Sequence, residues 1–310
     1  NLSVWLSTTM VQALRNMVAL VSHYFEMLNE RMLDGVLELL VTCVLQENET
    51  VSRIGSSCLL KLVEDNVEKL SEENWALIVD KFEVLFEATT AAELFDGGLS
   101  HHRSPPVEAE NSDISGSSAS SSSLDTSSAA SRLTSKRSVA KLHKRVISWA
   151  GPDSQSRQEK FRKTIVKCIL QLLLIDLVQD MFFPQSIAGN QVEPTSPVVS
   201  GSGWSSGSSG RGRILELMPL EQTLRILALL KKSYTFSNKF NADKQLRVNL
   251  FKEGLMKQMP NLAKQETFSV LVFLTLCFSL IAQVDTESGG DTHEKHKQLL
   301  APVKADVVAI

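Results

Sequence analysis

Cysteine is scarce in this sequence, and neither sign of charge predominates. The 310 residues include four cysteines, Cys43, Cys58, Cys168 and Cys277, with no CxxC spacing. Each falls inside an apolar helical pattern, where a free thiol packs as a small core residue, so a disulfide-rich scaffold is excluded and a reducing compartment is expected. The net charge is −3, with 43% hydrophobic and 22% charged residues, a balance that suits a soluble globular protein of one or two domains. The sequence opens on Asn1 rather than Met, and no basic, apolar leader follows. No signal peptide is therefore expected, and a piece of a longer polypeptide is. The uncharged run Phe268–Val284 is interrupted by Ser269, Thr275, Ser279 and Gln283 and is shorter than the roughly 20 apolar residues that a membrane span needs. It is expected to be a helix buried among helices.

Catalytic motifs are missing too. GWSSG, Gly203–Gly207, matches the GxSxG pattern of serine hydrolases, but it lies in a Gly/Ser-rich stretch with no strand before Ser205 and no helix after it, so the strained turn that arms such a serine has no support. His293 and His296 stand with Asp291 and Glu294 in DTHEKH, which is not HExxH, in a charged tail that is expected to lack structure. There is no Walker lysine, Rossmann glycine pattern or strand-borne acid pair, and neither a cofactor nor a metal is expected.

The sequence does contain helices. From Trp5 to about Phe95 four are expected: VWLSTTMVQALRNMVALVSHYFEML, Arg31–Gln46, a third after Asn48, and Ser71–Thr89. In the third, Val51, Ile54, Cys58, Leu59, Leu62 and Val63 fall on one face. Asn48 stands at its N-cap, Glu49 faces Arg53 one turn on, and Asn66 ends it. Asn48-Glu49-Thr50 is formally a glycosylation sequon, which means little without a secretory route. Gly55, costly inside a helix, is expected where a neighbouring helix passes close. In the fourth, Ser71 caps and Trp75, Ile78, Val79, Phe82, Leu85 and Phe86 form a stripe. Gln158–Phe183 reads as a long helix, apolar nearly all round in its second half and ended by Pro184. Leu220–Phe240, a helix after Asn241 as its cap, and the Phe268 helix complete the set. Helices of about 15 to 20 residues joined by short polar turns, with no strand alternation, predict an all-α fold of paired antiparallel helices, of the HEAT or armadillo kind. No strict internal repeat is present, and an irregular helical bundle would give the same pattern.

The expected organisation is a helical block over 1–96, a Ser-rich linker over 97–132, a basic segment with the long helix over 133–183, a Gly/Ser/Pro-rich insertion over 184–213, a second helical block over 214–284 and a charged tail over 285–310. The near-zero total hides a segregation of charge. Residues 1–110 have seven Lys and Arg against eighteen Asp and Glu, a net −11; residues 132–167 have eleven against two, a net +9. As a helix, Ser135–Gly151 would set Val139, Leu142, Val146 and Trp149 beside Lys136, Arg137, Lys141, Lys144 and Arg145. Such a basic amphipathic element suits an anionic membrane surface or an acidic protein partner, the −11 block included. Nucleic acid is not an expected partner, because no basic stripe with aromatic platforms occurs elsewhere.

Several stretches, in this order, resemble the region downstream of the catalytic domain in the large Golgi ARF guanine nucleotide exchange factors of the brefeldin A-inhibited subfamily. They are WLSTTMVQAL (Trp5–Leu14), QENETVSRIGSSCLLKLVEDN (Gln46–Asn66), IVKCILQLLLI with FFP (Ile165–Ile175, Phe182–Pro184), and SYTFSNKFNADKQLRVNLFKEGL followed by NLAKQE (Ser233–Leu255, Asn261–Glu266). Asn48, Glu49, Arg53, Ile54, Gly55, Phe182, Phe183, Pro184, Asn261, Gln265 and Glu266 are the structural motif residues that carry it. Family members often have glycine after the asparagine where this chain has Asn66-Val67. The resemblance implies helical-repeat domains that regulate exchange on ARF GTPases at the trans-Golgi. Autoinhibition, dimer contacts, and binding of ARF, ARF-like or Rab GTPases, of the protein's own catalytic and N-terminal domains, and of the Golgi membrane are the expected means. The chain is then cytoplasmic and peripheral on that membrane, and it lacks the family's catalytic domain. A generic helical scaffold or transport adaptor remains the alternative.

The stripes locate the core. Alanine at Trp75 or Phe82 is expected to cost about 3–5 kcal/mol in denaturant unfolding, and an unchanged transition would place the buried face elsewhere.

Overall fold

The computed structural model describes residues 2–95, 152–183, 213–254, 256–286 and 291–309. Among the described residues all regular structure is helical, as the sequence predicts. We number the helices α1 (Leu2–His23), α2 (Phe25–Val44), α3 (Glu49–Asn66), α4 (Glu72–Ala88), α5 (Pro152–Phe182), α6 (Ile214–Leu217), α7 (Leu220–Ala242), α8 (Lys244–Lys252), α9 (Ala263–Thr286) and α10 (Asp291–Ala309), with a single 3-10 turn at Ala92–Leu94.

Local chemistry sets many of these ends. The Asn48 side chain accepts from the amides of Thr50 and Val51 at 3.0 and 3.2 Å, and Arg53 pairs with Glu49 at 2.9 Å. Ser71 accepts from the amide of Asn74 at 3.2 Å. Asn66 closes α3 by turning its amide back to the carbonyl of Leu62 at 2.7 Å and across to Ser22 of α1 at 3.0 Å.

Three local expectations are corrected. The first two helices were expected to meet at Asn29-Glu30, but α1 stops at His23 and α2 already starts at Phe25, the break falling on Tyr24. Phe25, Leu33, Val36, Leu37, Leu40, Val41 and Val44 are all buried, and only a helix running through Asn29 and Glu30 holds Phe25 in register with the rest. Asn241 does not cap α8; it is inside the last turn of α7, and Asp243 makes the cap by accepting from the amide of Leu246 at 2.8 Å. The charged tail is not structureless: α10 forms despite Pro302, because Leu300 and Val303 are buried on the core and Lys231 of α7 holds Asp306 at 2.6 Å. Tertiary burial there outweighs the poor local propensity.

The helices pack in two rows. In one, α1, α3, α5, α9 and α10 are successive neighbours; in the other, α2, α4 and α7 are. Contacts of α1 with α2, α2 with α3, α4 with α5 and α7 with α9 join the rows. One continuous core runs from Val18 to Val303, so the helices on either side of residues 96–151 share it. A smaller cluster, Ala91, Leu94, Phe240 and Leu250, sits beside it, with Phe95 and Phe236 meeting edge to face at 5.3 Å. By length and composition α9 could cross a bilayer. Here Val272, Phe273, Leu276, Cys277, Leu280 and Val284 face the core, packed on α7 and α5, as expected of a helix among helices.

Gly55 marks a close crossing. A methyl group there would lie 2.9 Å from the Cβ of Cys43 and 2.9 Å from the amide nitrogen of Val44, both on α2. Gly35, also helical, has open space around it. Gly55→Ala is therefore expected to destabilise by about 1–3 kcal/mol, whereas Gly35→Ala is expected to stabilise by about 1 kcal/mol. Denaturant midpoints of the two variants against the parent check this, and equal shifts would contradict the packing at Gly55.

Candidate interaction surface

The cysteines offer no nucleophile. Burial pushes Cys58 and Cys168 up to about 11 and Cys277 up to about 12, and burial also raises Cys43, so all four are held as thiols near neutral pH. Among the described residues no group of three or more His, Cys, Asp and Glu side chains is arranged to hold a metal. GWSSG and His101-His102 lie outside the described residues, as does the side chain of His293; His296 is half-buried where α10 meets the end of α9.

The structure instead brings the motif stretches together. Thr89, just after α4, donates to the side-chain oxygen of Gln171 on α5 at 2.5 Å; Gln171 donates to the hydroxyl of Ser233 on α7 at 3.1 Å; and Gln265 on α9 donates to the same hydroxyl at 3.1 Å. All four residues are buried. Polar groups taken out of water this far cost free energy unless they are paired, and these form one continuous chain across four helices. Gln171, Ser233 and Gln265 each come from a different stretch of the resemblance. Thr89, Gln171 and Ser233 were not singled out from the sequence, although a lone glutamine inside CILQLLLI was a signal that could have identified Gln171.

A second knot orders the turn between α8 and α9. Glu266 accepts from Asn238 at 2.9 Å and from Asn241, and the Asn241 side-chain oxygen accepts from the amide of Leu262 at 2.7 Å. Arg247 donates to the carbonyls of Pro260 and Asn241, each at 2.8 Å. Asn261 accepts from the amide of Ala263 at 3.2 Å as α9 begins. Phe182 is buried and Phe183 half-buried at the end of α5, Ile54 packs against the core, and Pro184 lies outside the described residues. The motif residues that the structure describes thus hold helices in place rather than present a reactive group.

Where α3, α5 and α9 lie side by side they leave an open groove of about 500 Å³. Val166, Ile169, Leu172, Leu173 and Phe268 give it an apolar floor, and Ile165 and Ile169 are exposed. Its rim carries Glu47, Glu49, Arg53, Asp176 and Lys264. Glu47 pairs with Arg162 at 2.8 Å and Glu49 with Arg53, while Asp176 forms no salt bridge among the described residues. Burial, then the nearby Asp180, raises the Asp176 carboxyl above the usual carboxylate range, partly offset by Arg53. Three of the resembling stretches, Gln46–Asn66, Ile165–Ile175 and Asn261–Glu266, supply nearly all of these residues. Lys136, Arg137, Lys141, Lys144, Arg145 and Trp149 lie outside the described residues.

Fold and surface together define an all-α chain whose described residues leave a groove with an apolar floor and a charged rim. Comparison with known proteins gives the particular likeness. Residues 169–309 match the family model described as the BIG2 C-terminal domain. The chain is 34% identical, over 92% of its length, to the ADP-ribosylation factor guanine nucleotide-exchange factor SEC7 of Saccharomyces cerevisiae, and 33% identical, over 98%, to the exchange factor sec72 of Schizosaccharomyces pombe. It is 27% identical, over 98%, to brefeldin A-inhibited guanine nucleotide-exchange protein 1 of Bos taurus. The resemblance read from the motifs therefore holds along nearly the whole chain. The chain spans 15, 14 and 17% of those three proteins, respectively. No solved structure matches it.

The polar chain across four helices can be tested alone. Gln171→Met keeps the volume but removes both hydrogen bonds, and is expected to cost about 1–3 kcal/mol, because buried polar partners are left short. In a double-mutant cycle with Ser233→Ala the two losses should be strongly non-additive; additive losses in urea unfolding would mean that the two side chains act independently.

Proposed function

We propose that this chain is a noncatalytic regulatory and interaction region of an ARF guanine nucleotide exchange factor acting in trans-Golgi vesicular transport. The observation that carries the reading is the likeness, over nearly the whole chain, to about one seventh of the length of such exchange factors. The described residues add a set of packing motifs and a groove with an apolar floor. The region acts through protein and membrane contacts. ARF, ARF-like or Rab GTPases, the catalytic and N-terminal domains of the parent, and the anionic Golgi surface are the proposed partners, with a homodimer as a further assembly. The place of action is the cytoplasmic face of trans-Golgi membranes. The basic residues Lys136, Arg137, Lys141, Lys144 and Arg145 suit an anionic surface, each worth about 1 kcal/mol close to it.

Flotation on anionic Golgi-like liposomes, with and without GTP-loaded ARF, ARF-like and Rab proteins, tests the reading. GTP-dependent recruitment is expected, and changing the five basic residues to glutamate is expected to abolish binding to lipid alone. Failure to bind membranes, GTPases or the parent's catalytic domain, together with no effect on exchange by the parent, would overturn it.

A further inference from the structure

We infer that the outer face of α9 is a self-association surface, on which a second copy of this chain packs its own α9 antiparallel to the first about a two-fold axis. From Thr267 to Val284 the helix has no charged residue. A helix that is apolar all round is normally buried on every side. One side of α9 does pack on α7 and α5, through Val272, Phe273, Leu276, Cys277 and Leu280. The other side is open: Leu271 is 48% and Phe278 59% exposed, and Thr275 and Ala282 are exposed with them. The open side of α4, by contrast, carries Glu72, Glu73, Asp80 and Glu87. An uncharged open side running along several turns marks a surface that a partner covers.

The pattern along this face fits a second copy because it matches itself when reversed. With the two-fold axis between Leu274 and Thr275, antiparallel α9 helices set Leu271 of one copy opposite Phe278 of the other, Phe268 opposite Ile281 and Thr267 opposite Ala282. The 3.6-residue period keeps these positions on one side of the helix, and all of them are exposed or half-buried. The charges at the two ends agree with the same register. Lys264 of one copy meets Asp285 of the other, and the symmetry makes that pair twice. Both residues are exposed, and neither forms a salt bridge among the described residues. They stand about 32 Å apart along the helix, so the two pairs close the ends of the apolar stretch between them. A parallel pairing would bring lysine onto lysine and aspartate onto aspartate, and a slip of one helical turn would lose both pairs. One helix face is smaller than the roughly 800 Å² per partner of a standard interface, so a weak dimer, with a dissociation constant in the micromolar range, is expected. The inference rests on the homodimer proposed above and gives that assembly a surface; no GTPase, anionic membrane or exchange activity enters its test.

Sedimentation equilibrium of the full chain across the micromolar range tests it. The weight-average mass is expected to rise with concentration towards twice the 34.2 kDa of one chain. Leu271→Asp combined with Phe278→Asp is expected to weaken self-association about tenfold or more while leaving the circular dichroism unchanged, since both side chains are on the surface. The register has its own test: Lys264→Glu and Asp285→Lys should each weaken the dimer about fivefold, and the two changes together should restore it, because the exchanged charges meet again across the axis. A mass that stays at one chain throughout, or a double exchange that fails to restore the dimer, would overturn the inference. A dimer indifferent to the Leu271 and Phe278 changes would also overturn it while leaving the homodimer itself standing. Flotation on neutral phosphatidylcholine vesicles that Phe278→Asp abolishes, with the mass remaining at one chain, would assign the face to lipid instead.

Discussion

The arrangement of the second half of the molecule depends on a single hydrogen-bonded chain from Thr89 through Gln171 and Ser233 to Gln265. Apolar packing is tolerant: a leucine stripe is satisfied by several registers of its partner. An amide buried at Gln171 is not, because it needs an acceptor on one side and a donor on the other at about 3 Å, and only one sliding position of each neighbouring helix supplies them. The hydrophobic cluster supplies most of the stabilisation, while these four side chains select among the packings it would allow. The knot at Asn238, Asn241 and Glu266 repeats the device one turn away, fixing where α9 enters the stack.

This also explains why the stretches that resemble the exchange factors hold so little chemistry. Gln46–Asn66, Ile165–Ile175 and the pair Ser233–Leu255 and Asn261–Glu266 come from three separate parts of the chain, yet they meet at the polar chain, at the turn before α9 or along the groove. The likeness therefore marks a way of positioning helices. The family model begins at residue 169, inside α5, although α5 has already engaged the turn before α3 through Arg162 and Glu47. The packed unit begins well before the matched region does.

Much of the fold was legible in the sequence because its signals were local. Asn48, Ser71 and the stripe from Trp75 to Phe86 declare their helix ends and faces within a few residues, and Gly55 declared a close neighbour without naming it. What escaped depended on distant partners. Asn241 looked like a cap until Glu266 and Leu262 claimed its side chain. Leu300 and Val303 looked like scattered residues in a charged tail until the core they cover was in place. The groove was hidden for the same reason: Ile169 and Asp176 are ordinary residues of a long helix, and only the placement of α3 and α9 beside them makes a site.

The contact at Gly55 has a mechanical consequence. Since the backbone of α3 at Gly55 rests on the Cβ of Cys43 and the backbone of Val44, with no side chain of α3 between them to rotate aside, close packing couples any shift of α3 to α2. The N-terminal end of α3 forms one wall of the groove. A ligand wedged against that wall cannot displace α3 alone, and its push is carried through the crossing into α2 and on to α4, which packs on it in the opposite row.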